Sequence, residues 1–517
     1  MPNNRVFAAI DVGSYEIGMK IFELSKGKKL KELDCVVHRL DLGSETYSTG
    51  QISNHHMREL SGILNEFNQI MKSYGVKSYR AYGTSALREV YASEVVINLL
   101  KAETGIDIHI LSNSEQRFLD YKSVAIKGGE FDSIIENPTA FVDIGGGSLQ
   151  LSVFDNKKLI STQNIDLGVL RTRTSLIKLG VAPDKFKKYI FRIASAFMRD
   201  FKKLHLKSEN IKNLIIVDDY ISPYLCHNDI GDIKDGYAKM ADYEAFLEEL
   251  SRMSLHDISV KLDLPLDKIE TFIISSWIVS AIAKELSAEL IWAPGAALSD
   301  GIAYNYAENK KFLKFNHNFE KDIISAAENV AGRYLCDKKK YSALSSCALD
   351  IFDVIKKKQS LKDRERLLLE ISAILYDCGS FVSMTNTARS AFNIIMSTEM
   401  IGLSHSERET VAYVVWMSHL KNDRDIDNVN MLHQLDAQKR LLVSKLAAIL
   451  RVADSIHFFK PERIRDIKVS LKDRQLFLVS AKPHDYTLEY DMLSYKMKLF
   501  AEVYGIEPVL RYKRGKR

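Results

Sequence analysis

Apolar residues enter a glycine run at Phe141-Val142-Asp143-Ile144-Gly145-Gly146-Gly147-Ser148, and alternating apolar residues leave it through Leu149, Leu151 and Val153. That order predicts a strand, a tight turn and a second strand. The N-terminus repeats the pattern. Residues 6–10 are apolar, Asp11-Val12-Gly13-Ser14 makes a turn, and an apolar-rich strand follows over 17–22. Between the two hairpins the chain alternates helix and strand. Residues 56–74 place Met57, Leu60, Ile63, Leu64, Phe67 and Ile70 on one helical face. A strand over 79–82 then turns at Gly83 into a helix opening near Thr84 or Ser85. A helix over 95–101 is followed by a strand over 106–111. Ser112 N-caps the next helix and places Glu115 in its first turn.

Beyond residue 310 the period lengthens to that of long helices, over 319–334, 341–358, 364–375, 389–400, 406–419 and 435–453. The last segment returns to short strands near residues 467–470 and 476–479. A helix over 488–500 and an extended stretch over 503–510 complete it.

Composition narrows the class. The chain has 517 residues, room for three or four domains with ample cores. Its 72 basic and 67 acidic residues leave a net charge of +5, which permits an anionic ligand without demanding one. The apolar run over 271–283 is too short to span a bilayer. The N-terminus enters a strand with no apolar leader, so no signal peptide is expected. Five cysteines lack C-x-x-C spacing, which fits a reduced cytoplasm and argues against a metal–thiolate centre. The basic tail over 511–517 reads as a solvated terminus.

The candidate chemistry lies at the turns. Glycines let backbone approach a ligand, and successive N–H groups in such turns form anion nests. Asp143 stands beside one nest and Asp11 beside the other, where each could hold a metal through water. A helix opening near Ser85 would attract an anion, with Arg88 one turn in. Glu115, taken alone, is a capping-box acid.

The paired Asp-x-Gly hairpins resemble the actin, hexokinase and heat-shock ATPase superfamily. A narrower resemblance rests on the Asp11 to Ser14 turn, Gly83-Thr84-Ser85-Ala86-Leu87-Arg88-Glu89, Ile110-Leu111-Ser112 leading to Glu115, and Val142-Asp143-Ile144-Gly145-Gly146-Gly147-Ser148. Ile165-Asp166-Leu167-Gly168-Val169-Leu170-Arg171 and Ala293-Pro294-Gly295-Ala296-Ala297-Leu298-Ser299-Asp300-Gly301-Ile302 extend it. Together they resemble the exopolyphosphatase/guanosine pentaphosphatase (Ppx/GppA) family in its long form. The resemblance implies an α/β fold of two actin-like lobes around a cleft, over 1–127 and 128–308. A helical HD-like domain over 309–460 and a small α+β domain over 461–517 would follow.

The resemblance also implies roles. Glu115 would be the general base that activates water, with Asp143 and Arg88 beside it in the catalytic set. Asp11 and Asp143 would hold Mg2+. Gly13, Ser14, Gly145, Gly146, Gly147 and Ser148 would cradle phosphates, and Arg88 would bind the phosphate chain. The implied activity releases terminal phosphate from inorganic polyphosphate or guanosine pentaphosphate. The implied protein is a cytoplasmic homodimer with neither membrane nor nucleic-acid partners. A sugar or acetate kinase of the same superfold is disfavoured, because the adenosine-type glycine turn is missing.

Two positions depart from the family pattern. Gln150 stands where the second loop normally carries Glu. Asp218-Asp219 replaces small residues after a strand of the second lobe, where an anionic ligand would approach. These favour an alternative, a family member that binds polyphosphate or the guanosine alarmone as a sensor without turnover. In the helical domain the metal-ligating positions of an HD site read Lys340, Tyr376-Asp377 and Thr387-Ala388-Arg389-Ser390. Only Asp377 and Asp454, with His419 nearby, could ligate. That domain is therefore expected to be structural.

Overall fold

The structure is a computed structural model. It describes residues 5–512 except 28, 128, 207–210, 316, 421–425, 458–466 and 481–486. It divides into two compact units, Met1–Asn318 and Phe319–Arg517.

The first unit contains two sheets. Strands β1 (Arg5–Val12), β2 (Glu16–Leu24), β3 (Lys31–Arg39), β4 (Ser78–Gly83) and β5 (Ile108–Ile110) form the first, in the order β3-β2-β1-β4-β5. The second contains β6 (Thr139–Ile144), β7 (Leu149–Asp155), β8 (Lys158–Ile165), β9 (Asn213–Asp218), β10 (Tyr237–Lys239) and β11 (Leu290–Trp292), in the order β10-β11-β9-β6-β7-β8. Each sheet thus begins with an antiparallel hairpin whose first strand also pairs in parallel with a later strand. The registers set the site. Val12 lies opposite Gly83, Ile144 opposite Asp218, and Asp143 opposite Gln150. Asp11 and Asp143 therefore stand at the carboxyl ends of their strands, where open α/β sheets present their ligand crevice. β6 is buried along its whole length, which explains its unbroken apolar run.

Most expected elements stand within a few residues of their places. The helix expected over 56–74 spans Asn54–Ser73, N-capped by Ser53. The helix expected near Ser85 is a single turn, Ser85–Arg88, whose N-cap position Thr84 makes no side-chain cap bond. It is too short to act as a helical anion site.

The second unit holds the long helices, including Lys338–Gln359, Asp363–Ile374, His405–His419 and Ala437–His457. Its sheet joins β12 (Ile467–Lys472), β13 (Gln475–Ser480) and β14 (Glu507–Tyr512) in the order β12-β13-β14. The small terminal domain expected over 461–517 does not stand apart. Leu476, Leu478, Phe500 and Leu510 share one apolar core with Ile351, Phe352, Ile374 and Ile449 of the helices. Three strands and one helix bury too little surface alone, so they complete a larger core. The expected boundary at 460/461 lies outside the described residues, as does most of the basic tail.

The residues expected at HD-like positions are engaged in packing and ion pairs. Lys340 pairs with Asp377 at 2.8 Å, and Lys496 pairs with the buried Asp454. A ring nitrogen of His419 meets the Tyr376 carbonyl at 2.8 Å, and its ring stacks on Tyr376 at 4.0 Å.

In the first unit the Asn113–Ala125 helix packs against the Leu298–Asn309 helix so closely that a Cβ on Gly301 would lie 2.0 Å from the Leu119 carbonyl oxygen. Gly301→Ala is expected to destabilise the unit by roughly 1–3 kcal/mol or more through overpacking. Its thermal unfolding midpoint should fall, whereas Gly62→Ala, with open space around it, should leave the midpoint unchanged or raise it.

Candidate phosphate cleft

The first loop is built by close backbone approach. The Gly13 N–H donates to the Glu16 carbonyl at 3.0 Å, and a Cβ on Gly13 would sit 2.6 Å from that oxygen. Ser14 follows, and its hydroxyl joins those of Tyr47 (2.7 Å) and Ser85 (2.9 Å) in a three-membered ring of hydroxyls.

The second loop closes when the Gly145 N–H donates to the Ser148 carbonyl at 2.9 Å. Two further bonds tie it to the next helix, Val169–Lys178. Val169 N–H donates to Gly145 and Arg171 N–H donates to Gly146, both at 3.0 Å. Gly168 makes this possible. A Cβ there would lie 2.3–2.4 Å from backbone atoms of Gly146, Gly147 and Ser148. The loops also pack on each other: a Cβ on Gly146 would meet the Ser14 Cβ at 2.8 Å, and one on Gly147 would meet the Tyr47 hydroxyl at 2.6 Å.

Between the loops lies a cavity of about 40 Å³, bordered by Asp11, Gly13, Ser14, Ser85, Gln116, Arg117, Asp120, Asp143, Gly145, Gly146, Asp218 and Asp219 among others. It has room for about one water or a few, so a phosphate chain enters only if the lobes part. Ion pairs hold them together. Arg171 meets Glu89 at 2.6 Å, Lys268 meets Glu16 at 2.5 Å, and Arg39 meets Asp267 at 2.6 Å.

The Asn113–Ala125 helix supplies an unexpected wall. Its start is a capping box: Ser112 Oγ accepts the Glu115 N–H at 3.3 Å. The Glu115 carboxylate accepts the Ser112 N–H at 3.0 Å and the Ser112 hydroxyl at 2.7 Å. Glu115 is thus turned back onto the cap in this structure and does not border the cavity. The next residue, Gln116, borders it instead, with Arg117 and Asp120 beside it. Arg88 likewise lies outside. It holds the start of the same helix, donating to the Leu111 carbonyl at 2.6 Å and Asn113 Oδ1 at 2.5 Å. Of the expected phosphate binders, Gly13, Ser14, Gly145 and Gly146 meet at the cavity. Gly147 faces Tyr47, and the buried Ser148 meets Arg117.

Arg117 is the charge that sequence reasoning missed. It is 2 % exposed, and its Nη1 lies 2.6 Å from Asp143 Oδ1 and 3.9 Å from Asp120. Its Nη2 donates to the Ser148 carbonyl and hydroxyl, both at 3.4 Å. The carboxylates crowd around this guanidinium. Burial pushes Asp120 well up from the usual range, and neighbouring Asp143 adds to it. Burial does the same to Asp11, with Asp219 and Glu16 adding to it, and Asp219 is pushed upward too. Asp218 plays another part. Its Oδ1 accepts the Ser222 N–H at 2.6 Å and its Oδ2 accepts the Ser275 hydroxyl at 2.5 Å, so it anchors the following helix. Both adjacent aspartates border the cavity, but the oxygens of Asp218 are taken up by Ser222 and Ser275.

Three oxygens in this wall are buried without a hydrogen-bond partner: Asp11 Oδ1, Asp143 Oδ2 and Gln116 Oε1. All are hard donors, the kind magnesium takes. Among the described residues no group of three or more His, Cys, Asp or Glu encloses a metal. Magnesium fits such a place nonetheless, since it commonly uses one or two carboxylates with waters and substrate phosphates.

Residues 22–310 match the model of the Ppx/GppA phosphatase family, and residues 324–496 match that of Ppx/GppA phosphatase, domain III. The chain belongs to the Ppx/GppA phosphatase family. Solved structures share this fold. An exopolyphosphatase from Cytophaga hutchinsonii is similar at 16% identity and TM-score 0.50, covering 60% of this chain and 100% of that one. An exopolyphosphatase-like protein follows at 15% and 0.50, covering 59% and 99%. A Ppx/GppA family member from Aquifex aeolicus aligns at 15% and 0.49, covering 61% and 100%.

Removing one partner of a buried ion pair strands the other charge. Arg117→Met should therefore cost about 3–5 kcal/mol in urea unfolding. Arg117→Met combined with Asp143→Leu should recover part of that loss, because the carboxylate nearest the guanidinium is removed with it. Equal loss in single and double variants would show that Arg117 acts by packing alone.

Proposed function

We propose that this Ppx/GppA family member releases the terminal phosphate of inorganic polyphosphate or guanosine pentaphosphate by water attack within the cleft. The observation that carries this reading is the meeting of two glycine loops, Gly13-Ser14 and Gly145-Gly146, at one cavity that also exposes open oxygens of Asp11 and Asp143. Phosphoryl transfer runs through a loose transition state, so positioning and charge stabilisation matter more than covalent chemistry. Backbone N–H groups of the loops would hold the phosphate oxygens once the lobes part, and Arg117 adds a fixed positive charge beside them.

The cleft is otherwise acidic. Asp11, Asp120, Asp143, Asp218 and Asp219 line it with a single guanidinium, and a polyanion cannot enter against that field unaided. Asp11 and Asp143 would hold Mg2+, which would bridge phosphate oxygens and neutralise charge. Gln116 Oε1 can accept a hydrogen bond from a water and so orient it, but an amide cannot take its proton. A general base contributes roughly 10²–10⁴-fold, so turnover should be slow. The same amide, with Gln150 opposite Asp143, favours a second reading in which the cleft binds the polyanion without turning it over.

The deciding experiment measures phosphate release from long-chain polyphosphate and from guanosine pentaphosphate. Slow, magnesium-dependent release is expected, abolished by a chelator. Gln116→Glu should raise it at least ~10-fold, restoring a base at the cavity. Glu115→Gln should leave it within a few-fold and lower only stability, by roughly 0.5–2 kcal/mol through the cap. A loss near 100-fold in Glu115→Gln would return the base to Glu115. No release from either substrate, with binding retained in calorimetry, would establish the sensor reading.

A further inference from the structure

The Asn113–Ala125 helix is seated on β6 at two places one turn apart. Side chains at i and i+4 of a helix lie one above the other, about 6 Å apart along the axis. Residues two apart share one face of a strand, about 6.6 Å apart. Arg117 and Tyr121 are such a pair on the helix, and Asp143 and Phe141 on the strand. One contact is the Arg117–Asp143 ion pair at 2.6 Å. The other is aromatic. The Tyr121 ring stands edge-on to Phe141 with centroids 6.1 Å apart, with Phe154 of β7 at 5.4 Å and Phe131 at 5.5 Å. Tyr121 is fully buried, and a buried hydroxyl needs a partner. It has one in His317, whose Nε2 lies 2.7 Å from the Tyr121 oxygen. The other ring nitrogen, Nδ1, lies 3.4 Å from Asp132 Oδ1. A proton on Nδ1 suits that carboxylate and leaves Nε2 to accept the tyrosine hydroxyl. His317 stands edge-on to Phe131 at 5.7 Å, one residue before the end of the unit at Asn318.

We propose that Tyr121 and His317 are positioning residues for the phosphate cleft. Their hydrogen bond fixes the depth and rotation of the helix, and so where the Arg117 guanidinium and the Gln116 amide stand against the two glycine loops. The proposal rests on the phosphate-cleft reading and deepens it. Neither residue borders the cavity, so an effect on the reaction must pass through the helix. The ion pair alone holds the helix at one point, about which it can still tilt. A second contact one turn along removes that freedom. Charge stabilisation of phosphoryl transfer depends on placement, and a shift of about 1 Å can cost roughly 100-fold. The same bond ties the last residues of the unit to the wall of its cleft.

The test compares wild type with Tyr121→Phe, which keeps the ring and deletes the hydroxyl, and with His317→Ala, which removes the acceptor. With long-chain polyphosphate and magnesium, kcat should fall roughly 10- to 100-fold in each. KM should stay near that of wild type, the mark of an interaction needed in the transition state. His317→Gln, whose amide oxygen can accept the same hydroxyl, should recover most of the loss seen in His317→Ala. In an Arg117→Lys background Tyr121→Phe should cost little more, because the group it positions is gone. A merely structural bond would lower the thermal midpoint and leave kcat unmoved. If wild type binds tripolyphosphate without turning it over, its affinity is read in place of kcat and should weaken severalfold in both variants. Full kcat, or full affinity, in Tyr121→Phe and His317→Ala overturns this proposal and leaves the cleft reading standing. So does a fully additive loss in the Arg117→Lys background. Wild type that neither releases phosphate nor binds tripolyphosphate overturns both readings together.

Discussion

The cleft depends on one buried ion pair, Arg117 with Asp143. A guanidinium 2 % exposed to solvent is stable only if its charge is met at close range, and Asp143 meets it at 2.6 Å. Three features elsewhere serve that contact. The Ser112–Glu115 capping box fixes where the helix begins and so where Arg117 points. Gly168 lets the second loop fold down against its neighbour, which brings the Ser148 oxygens to Arg117. The β6–β7 register places Gln150 rather than a further carboxylate opposite Asp143. With Asp11 and Asp120 already pushed upward by burial, another ionised acid there would add like-charge repulsion that one arginine could not offset.

Much of this was legible in the sequence. Both hairpins announce themselves by apolar strands running into glycine, and the registers put Asp11 and Asp143 at strand ends as the motifs imply. The resemblance to Ppx/GppA proteins likewise rests on residues that belong to strands and turns, where chain geometry leaves little freedom. The helix wall was harder to read. Sequence shows an acid three residues after a serine, which is equally a cap and a catalytic candidate. In the structure the cap takes the acid, and its neighbour Gln116 faces the cavity. The residues at 116, 117 and 120 share a helical face, so the spacing was available. What the sequence could not report was that Arg117 is buried, because burial of a charge depends on a partner brought from β6. The pair at 218 and 219 teaches the same lesson. Identical side chains one residue apart take opposite parts because only Asp218 finds the N–H of Ser222 and the hydroxyl of Ser275.

In the second unit the logic is one of replacement. Positions expected to hold ligands if this were an HD site carry groups that find other partners, as Lys340 does with Asp377. His419, packed face to face on Tyr376, is pushed below the usual histidine range by burial, so it stays neutral and serves packing. Domain boundaries drawn from changes of period mislead here for a related reason. A small sheet changes the period of the sequence, yet it cannot bury its own apolar face and so shares the helices' core.

The closed cleft sets the terms on which any ligand acts. Its lobes touch at both loops and at several ion pairs, and each exposed pair contributes little, about 0–1 kcal/mol. Opening is therefore inexpensive in contacts. The greater obstacle is charge, since a phosphate chain would approach five carboxylates and one guanidinium. A ligand shifts such an equilibrium only by its difference in affinity between the two states. A cation held by Asp11 and Asp143 would supply part of that difference by neutralising part of the local charge.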